Sequence, residues 1–102
     1  MEKWTLYLGL NDKDSKVQKI STLEAYKVVS NLIATKFDGG TIFEAKGIYK
    51  HDNGVIVTEN TLRIELLFAP ENEVRELVKT LKVIFNQESI AVQKEVINSE
   101  LW

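Results

Sequence analysis

The sequence has no cysteine, one histidine, one proline and five glycines in 102 residues. Without cysteine there is no disulfide, no thiolate metal site and no cysteine nucleophile. With His51 as the one histidine, a transition-metal site would have to be built mostly from carboxylates. No apolar run approaches the roughly 18 residues that a membrane span needs. The start, Met1-Glu2-Lys3-Trp4, lacks the apolar stretch and small-residue cleavage site of a signal peptide. A cytoplasmic protein with no membrane partner is therefore expected. The net charge of -2 and pI of about 5.4 give no cationic excess, so nucleic acid is not the expected partner. No Ser-His-Asp set, P-loop, Gly-x-Gly-x-x-Gly or EF-hand pattern occurs, and no cofactor or metal is expected.

What is present is pattern. Hydrophobic residues make up 44% of the chain, enough for a modest core and too many for a disordered segment. The length fits one domain over residues 1–102. Leu62, Ile64, Leu66 and Phe68 alternate with Arg63, Glu65 and Leu67, the period of two of a strand with one face in a core. Trp4, Leu6, Leu8 and Leu10 alternate in the same way with Thr5, Tyr7 and Gly9. Asn11 to Lys16 is a polar loop. Ser21 to Glu24 has the capping-box pattern, followed by Leu23, Tyr26, Val29, Ile33 and Phe37 at helical spacing. The spacing predicts a helix from about Thr22 to Lys36, closed by Gly39-Gly40 in the left-handed conformation.

Thr41 to Lys50 is rich in strand formers. Its facing is ambiguous, because Phe43/Tyr49 and Ile42/Ile48 are both apolar, and Gly47 suggests a bulge or bend. His51-Asp-Asn-Gly54 predicts a hairpin turn. Val55 to Thr58 extends the hairpin, and Glu59-Asn60 is expected to interrupt the strand before Thr61. Pro70 suits a first helical turn. Val74, Leu77, Val78, Leu81, Ile84 and Phe85 form an apolar stripe. A last strand is expected over 89–97.

The order β-α-β-β-α-β, with two helices that each need one covered face, predicts an α+β, ferredoxin-like fold: a four-stranded antiparallel sheet with both helices on one face and the first and third strands central. The other sheet face is then open. It would carry Thr5, Tyr7, Arg63, Glu65, Leu67, Ala91, Gln93, Glu95 and Ile97.

Four stretches together resemble the uncharacterised DUF3574 family of small domains. They are Leu6 to Leu10, Phe37 to Thr41 with Gly47-Ile48-Tyr49, Glu59 to Thr61, and Phe85-Asn-Gln-Glu-Ser-Ile90, the last being the most specific. The resemblance spans roughly residues 4 to 96 and implies the fold; no activity comes with it. Many family members look exported, and this chain departs in having no leader. The lysine-rich, cysteine-free, leaderless form is also similar to small proteins of bacteriophages of low-GC bacteria, which implies a host cytoplasm and a role against host defence.

The candidate site is a ligand-binding one: Tyr7, Arg63 and Glu65, with Gln93 as neighbour. Arginine offers a planar fork to a carboxylate or phosphate, and tyrosine a ring to stack on a base. Glu65 is expected to accept from a ligand amine, or to pair with Lys94 or with Arg63 of a second copy. The plainer reading is a solvated or dimer-forming face with ordinary cross-strand pairs. Leu6-Tyr-Leu-Gly-Leu10 is similar to the first motif of RNA recognition domains. The Gly and aromatic residues of the companion motif are missing, so an amphipathic strand is the favoured reading. His51 beside Asp52 is favoured as a turn over a general base, and Glu59-Asn60 and Gln87-Glu88-Ser89 as loop-satisfying residues over a pocket rim. The leading functional expectation is a non-enzymatic binding protein, a dimer or higher homo-oligomer. It would sequester or block a partner, either a small ligand such as a nucleotide signal or a host protein. The alternatives are a small enzyme of the dimeric α+β barrel type and an RNA-binding module.

Overall fold

The computed structural model describes residues 2–102. The elements run β1 (Glu2–Gly9), α1 (Thr22–Lys36), β2 (Thr41–Lys50), β3 (Ile56–Leu67), α2 (Glu71–Ile84) and β4 (Ala91–Val96). The sheet order is β2-β3-β1-β4, antiparallel throughout. This is the ferredoxin-like arrangement, with β1 and β3 central. Among the described residues no helix is long and apolar enough to cross a membrane.

Alternation along the central strands decides what is buried. Trp4, Leu6, Leu8, Leu62, Ile64 and Leu66 point to one side. There they meet Ala25, Val29 and Ile33 of α1 and Val74, Leu77 and Leu81 of α2 in one cluster, so both helices cover the same face. Burying side chains of this size stabilises by about 1.5–3 kcal/mol each. The Trp4 indole nitrogen donates to Ala69 O at 3.1 Å, so burying the ring strands no donor. The Ser21 hydroxyl accepts from the Glu24 amide at 3.1 Å and starts α1 as the capping pattern predicts.

Several local expectations are corrected. Leu23 and Tyr26 are exposed, and the buried face of α1 is Ala25, Val29 and Ile33; the stripe is rotated because the small Ala25 sits against the sheet. Gly39 and Gly40 do not close α1 in the left-handed conformation. The helix ends at Phe37 in an extended backbone, and Gly54 is the one described glycine with positive φ, 86°. Gly40 instead allows close packing: a Cβ there would stand 2.9 Å from Leu66 Cδ2 and 3.2 Å from the Glu65 carbonyl oxygen. Gly47 makes no bulge, since β2 pairs with β3 in unbroken register from Thr41↔Glu65 to Lys50↔Ile56. Glu59 and Asn60 do not interrupt β3, because their side chains find partners without leaving the ladder. Pro70 caps α2 rather than entering it. Ile84 is exposed. Ser89, Ile90 and Ile97 lie outside β4. Phe68 is not a core residue: the chain leaves β3 there with φ of 60°, and the ring is half exposed.

Candidate functional site

Register places the open-face residues in rows across the strands. One row is Phe43–Arg63–Tyr7–Ala91, and the next is Thr41–Glu65–Thr5–Gln93. At the usual strand spacing, Phe43 and Tyr7 stand about 10 Å apart with Arg63 between them. The Arg63 guanidinium carbon lies 5.1 Å from the centre of the Phe43 ring, a cation–π contact. Its Nη2 donates to Glu65 Oε2 at 2.5 Å, and the same carboxylate oxygen lies 3.3 Å from Lys3 Nζ. Arg63 Nε is buried with no hydrogen-bond partner. Thr5, although on the open face, is only 2% exposed, so the middle of this face is packed rather than fully solvated.

The structure therefore brings together three of the nominated residues: Tyr7 beside Arg63, and Arg63 bonded to Glu65. It does not bring in Gln93, which is separated from Glu65 by the Thr5 strand position and is exposed. The expected partners of Glu65 are corrected as well. Lys94 projects to the helix side, where it pairs with Glu2 and Glu71 and lies over the Trp4 ring. The arginine that meets Glu65 belongs to the same chain. Phe43 and Lys3 join the site without having been singled out. The alternation of Thr41 to Lys50 leaves Phe43 ambiguous until the pairing with Arg63 fixes its face. The cluster carries two cations to one anion, flanked by two rings. That suits a ligand with a flat ring system and an acidic or polar group.

The polar runs at the other end of the sheet serve the backbone. Glu59 Oε2 accepts from the Asn11 amide at 3.0 Å and Gln87 Nε2 donates to the Asn11 carbonyl at 2.7 Å, so both runs clasp one residue. Asn60 bonds Gln18 and Lys46. His51 takes part in the hairpin turn, its backbone bonded to Val55 and Gly54 and its ring edge-on to Tyr49. The polar loop after β1 also holds an acid that periodicity gives no reason to single out. The Asp12 carboxylate accepts from the Ser15 amide at 2.8 Å, the Asn86 side chain at 2.7 Å, the Asp14 amide at 3.0 Å and the Ser15 hydroxyl at 3.1 Å. The Ser15 amide first, then Asn86, hold its carboxyl well below the usual value of 3.8. No group of three or more possible metal ligands occurs among the described residues.

A family model described as a protein of unknown function, DUF3574, matches residues 3–100. The chain belongs to the DUF3574 family. No curated protein matches it. Among solved structures it is similar to a phage SAM lyase in complex with S-methyl-5'-thioadenosine, at 25% identity and a TM-score of 0.65, covering 92% of this chain and 79% of that one. The phage SAM lyase in its apo state is similar at 18% identity and a TM-score of 0.66, covering 92% and 78%. The periplasmic divalent cation tolerance protein CutA from Archaeoglobus fulgidus is similar at 16% identity and a TM-score of 0.62, covering 99% and 88%. The likenesses at 18% and 16% bear on the fold alone.

Proposed function

We propose that this protein binds an S-adenosyl sulfur compound on the open face of its sheet and cleaves it, acting as an assembly of identical chains. The observation that carries the reading is the likeness, at 25% identity over 92% of this chain, to a phage SAM lyase that holds S-methyl-5'-thioadenosine. It agrees with the resemblance to phage proteins and with a face that offers Tyr7 and Phe43 to a base. The chemistry needs none of the catalytic sets this chain lacks. In S-adenosylmethionine the sulfonium is already a leaving group. The substrate's own carboxylate can attack its γ-carbon: the O–C bond closes a five-membered lactone, the C–S bond breaks, and its electron pair neutralises the sulfur. The products are S-methyl-5'-thioadenosine and an amino lactone, with no proton or electron left over. The protein's task is to hold the substrate folded and away from water. Missing nucleophiles therefore do not argue for a purely sequestering protein.

Self-association is part of the reading because large apolar side chains stand uncovered, Ile48 at 73% and Ile56 at 67% exposure among them. Contiguous apolar surface of this kind commonly marks an interface.

The test is incubation with S-adenosylmethionine, chromatography for released S-methyl-5'-thioadenosine, and light scattering of the same sample. Release is expected from the wild type and is expected to fall by at least about tenfold in Arg63→Ala and Tyr7→Ala variants that keep the wild-type circular dichroism. Calorimetric binding without release would favour sequestration, and neither binding nor release would end the reading. A particle of 11.7 kDa at high micromolar concentration would refute self-association.

A further inference from the structure

Next to the Arg63 row, at the end of the sheet where β1 begins, lies a cavity of about 410 Å³. Its charged lining is Lys3, Glu65 and Asp38, and its apolar wall includes Leu67, Phe68 and Ile97. The volume is in the range of small-ligand pockets. Two further observations separate it from an ordinary surface dent. Phe68 forms its wall with φ of 60°, a conformation that a bulky side chain rarely adopts and that concentrates at ligand clamps. Glu65 lines the cavity and links it to the ring-bearing row, because one of its oxygens meets Lys3 on one side and Arg63 of that row on the other.

A lining of one cation, two carboxylates and a hydrocarbon wall is complementary to an α-amino acid with an apolar chain. Lys3 faces a carboxylate, Glu65 and Asp38 face an ammonium, and Leu67, Phe68 and Ile97 face the chain. Along a strand, residues 63 and 65 are about 7 Å apart. That separation suits a molecule whose flat ring and amino-acid end are joined by a short linker. We infer that this cavity receives the amino-acid end of the ligand while its adenosine end lies on the Phe43–Arg63–Tyr7 row. The inference rests on the reading of the open face as an S-adenosyl sulfur site, and it assigns Lys3 as the residue that recognises the carboxylate.

Two adenosyl compounds separate the ends. S-methyl-5'-thioadenosine has no amino acid, whereas S-adenosylhomocysteine carries one and, as a neutral thioether, resists cleavage. In calorimetry, Lys3→Met is expected to weaken S-adenosylhomocysteine by about tenfold or more, as for a lost bond to a charged group. It is expected to leave S-methyl-5'-thioadenosine within about twofold of wild type. Lys3→Arg, which keeps the charge, should restore most of the loss. Tyr7→Ala should weaken both ligands. An equal loss for both ligands in Lys3→Met, or no loss for either, overturns the inference and leaves the binding face standing. If the wild type binds neither adenosyl compound, the reading of the face fails, and L-methionine at millimolar concentration then decides for the cavity. Amide shifts at Leu67 and Phe68, absent in Lys3→Met, keep it as an amino-acid site; their absence in the wild type overturns it.

Discussion

Asp12 is the most strongly stabilised carboxylate of the loop that follows β1. Its donors come from the loop itself and from Asn86, 74 positions away, so it ties that loop to the end of α2. Protonation would take acceptor capacity from one oxygen and weaken the charge-assisted bonds to the other. Because its carboxyl is depressed below the ordinary 3.8 when folded, the stability it contributes is fully present above that value. It is lost as the pH falls from there toward the folded-state value. Asp12→Asn is therefore expected to melt at a lower temperature than wild type at neutral pH. The gap should close as the pH drops below 3.8 in a series of thermal melts. A gap that stayed constant down to about pH 2 would show that the carboxylate charge is not what matters. This residue also marks what one-dimensional reading cannot reach. The turn residues around Asp12, with the Ser15 amide that lowers its carboxyl most, are visible in the sequence, but the second contributor, the Asn86 side chain, lies beyond the end of α2. Tyr7, Arg63 and Glu65 were legible together because parity along two neighbouring strands fixes which side chains share a face. Gln93 obeys the same parity and still misses the cluster, since parity does not say how many strands stand between.

Elements were legible wherever a pattern was long. The ends of α1 follow from the Ser21 cap and from the run of apolar positions. The face of α1 did not follow, because a stripe drawn through Leu23 and Tyr26 outweighs the small Ala25 in any count of apolar residues. The link from α1 into β2 shows the same contrast at its two glycines. Both read as a helix stop, yet neither has positive φ, and their surroundings differ. Nothing lies within 4 Å of a Cβ at Gly39, whereas one at Gly40 would strike Leu66 and approach the Glu65 backbone. Gly40→Ala is expected to destabilise by about 1–3 kcal/mol, since the obstacles are a core side chain and a central strand. Gly39→Ala is expected to be neutral or to stabilise by up to about 1 kcal/mol, by restricting the unfolded chain. Urea unfolding of the two variants checks the pair. Equal effects would mean that the join relaxes as a unit and that close packing at Gly40 is not its reason for being glycine.

The molecule as a whole is 47 Å long and only 24 by 23 Å across. Topology explains the elongation: β1 pairs with β3 no further than Gly9↔Thr61, while β2 and β3 continue together to Lys50↔Ile56. Beyond that last three-stranded row, the hairpin is a two-stranded ribbon with Ile48, Val55 and Ile56 exposed. Two strands alone are marginally stable in water. The ribbon can therefore open while the rest of the sheet stays shut, and its amide hydrogens should exchange with deuterium well before those of Leu62 to Leu66, in a unit that unfolds separately from the core. If copies of the chain cover the ribbon, that exchange slows as protein concentration rises, while exchange in Leu62 to Leu66 does not change. A ribbon that exchanges at one rate across dilution would be a free arm in solution, whatever else associates.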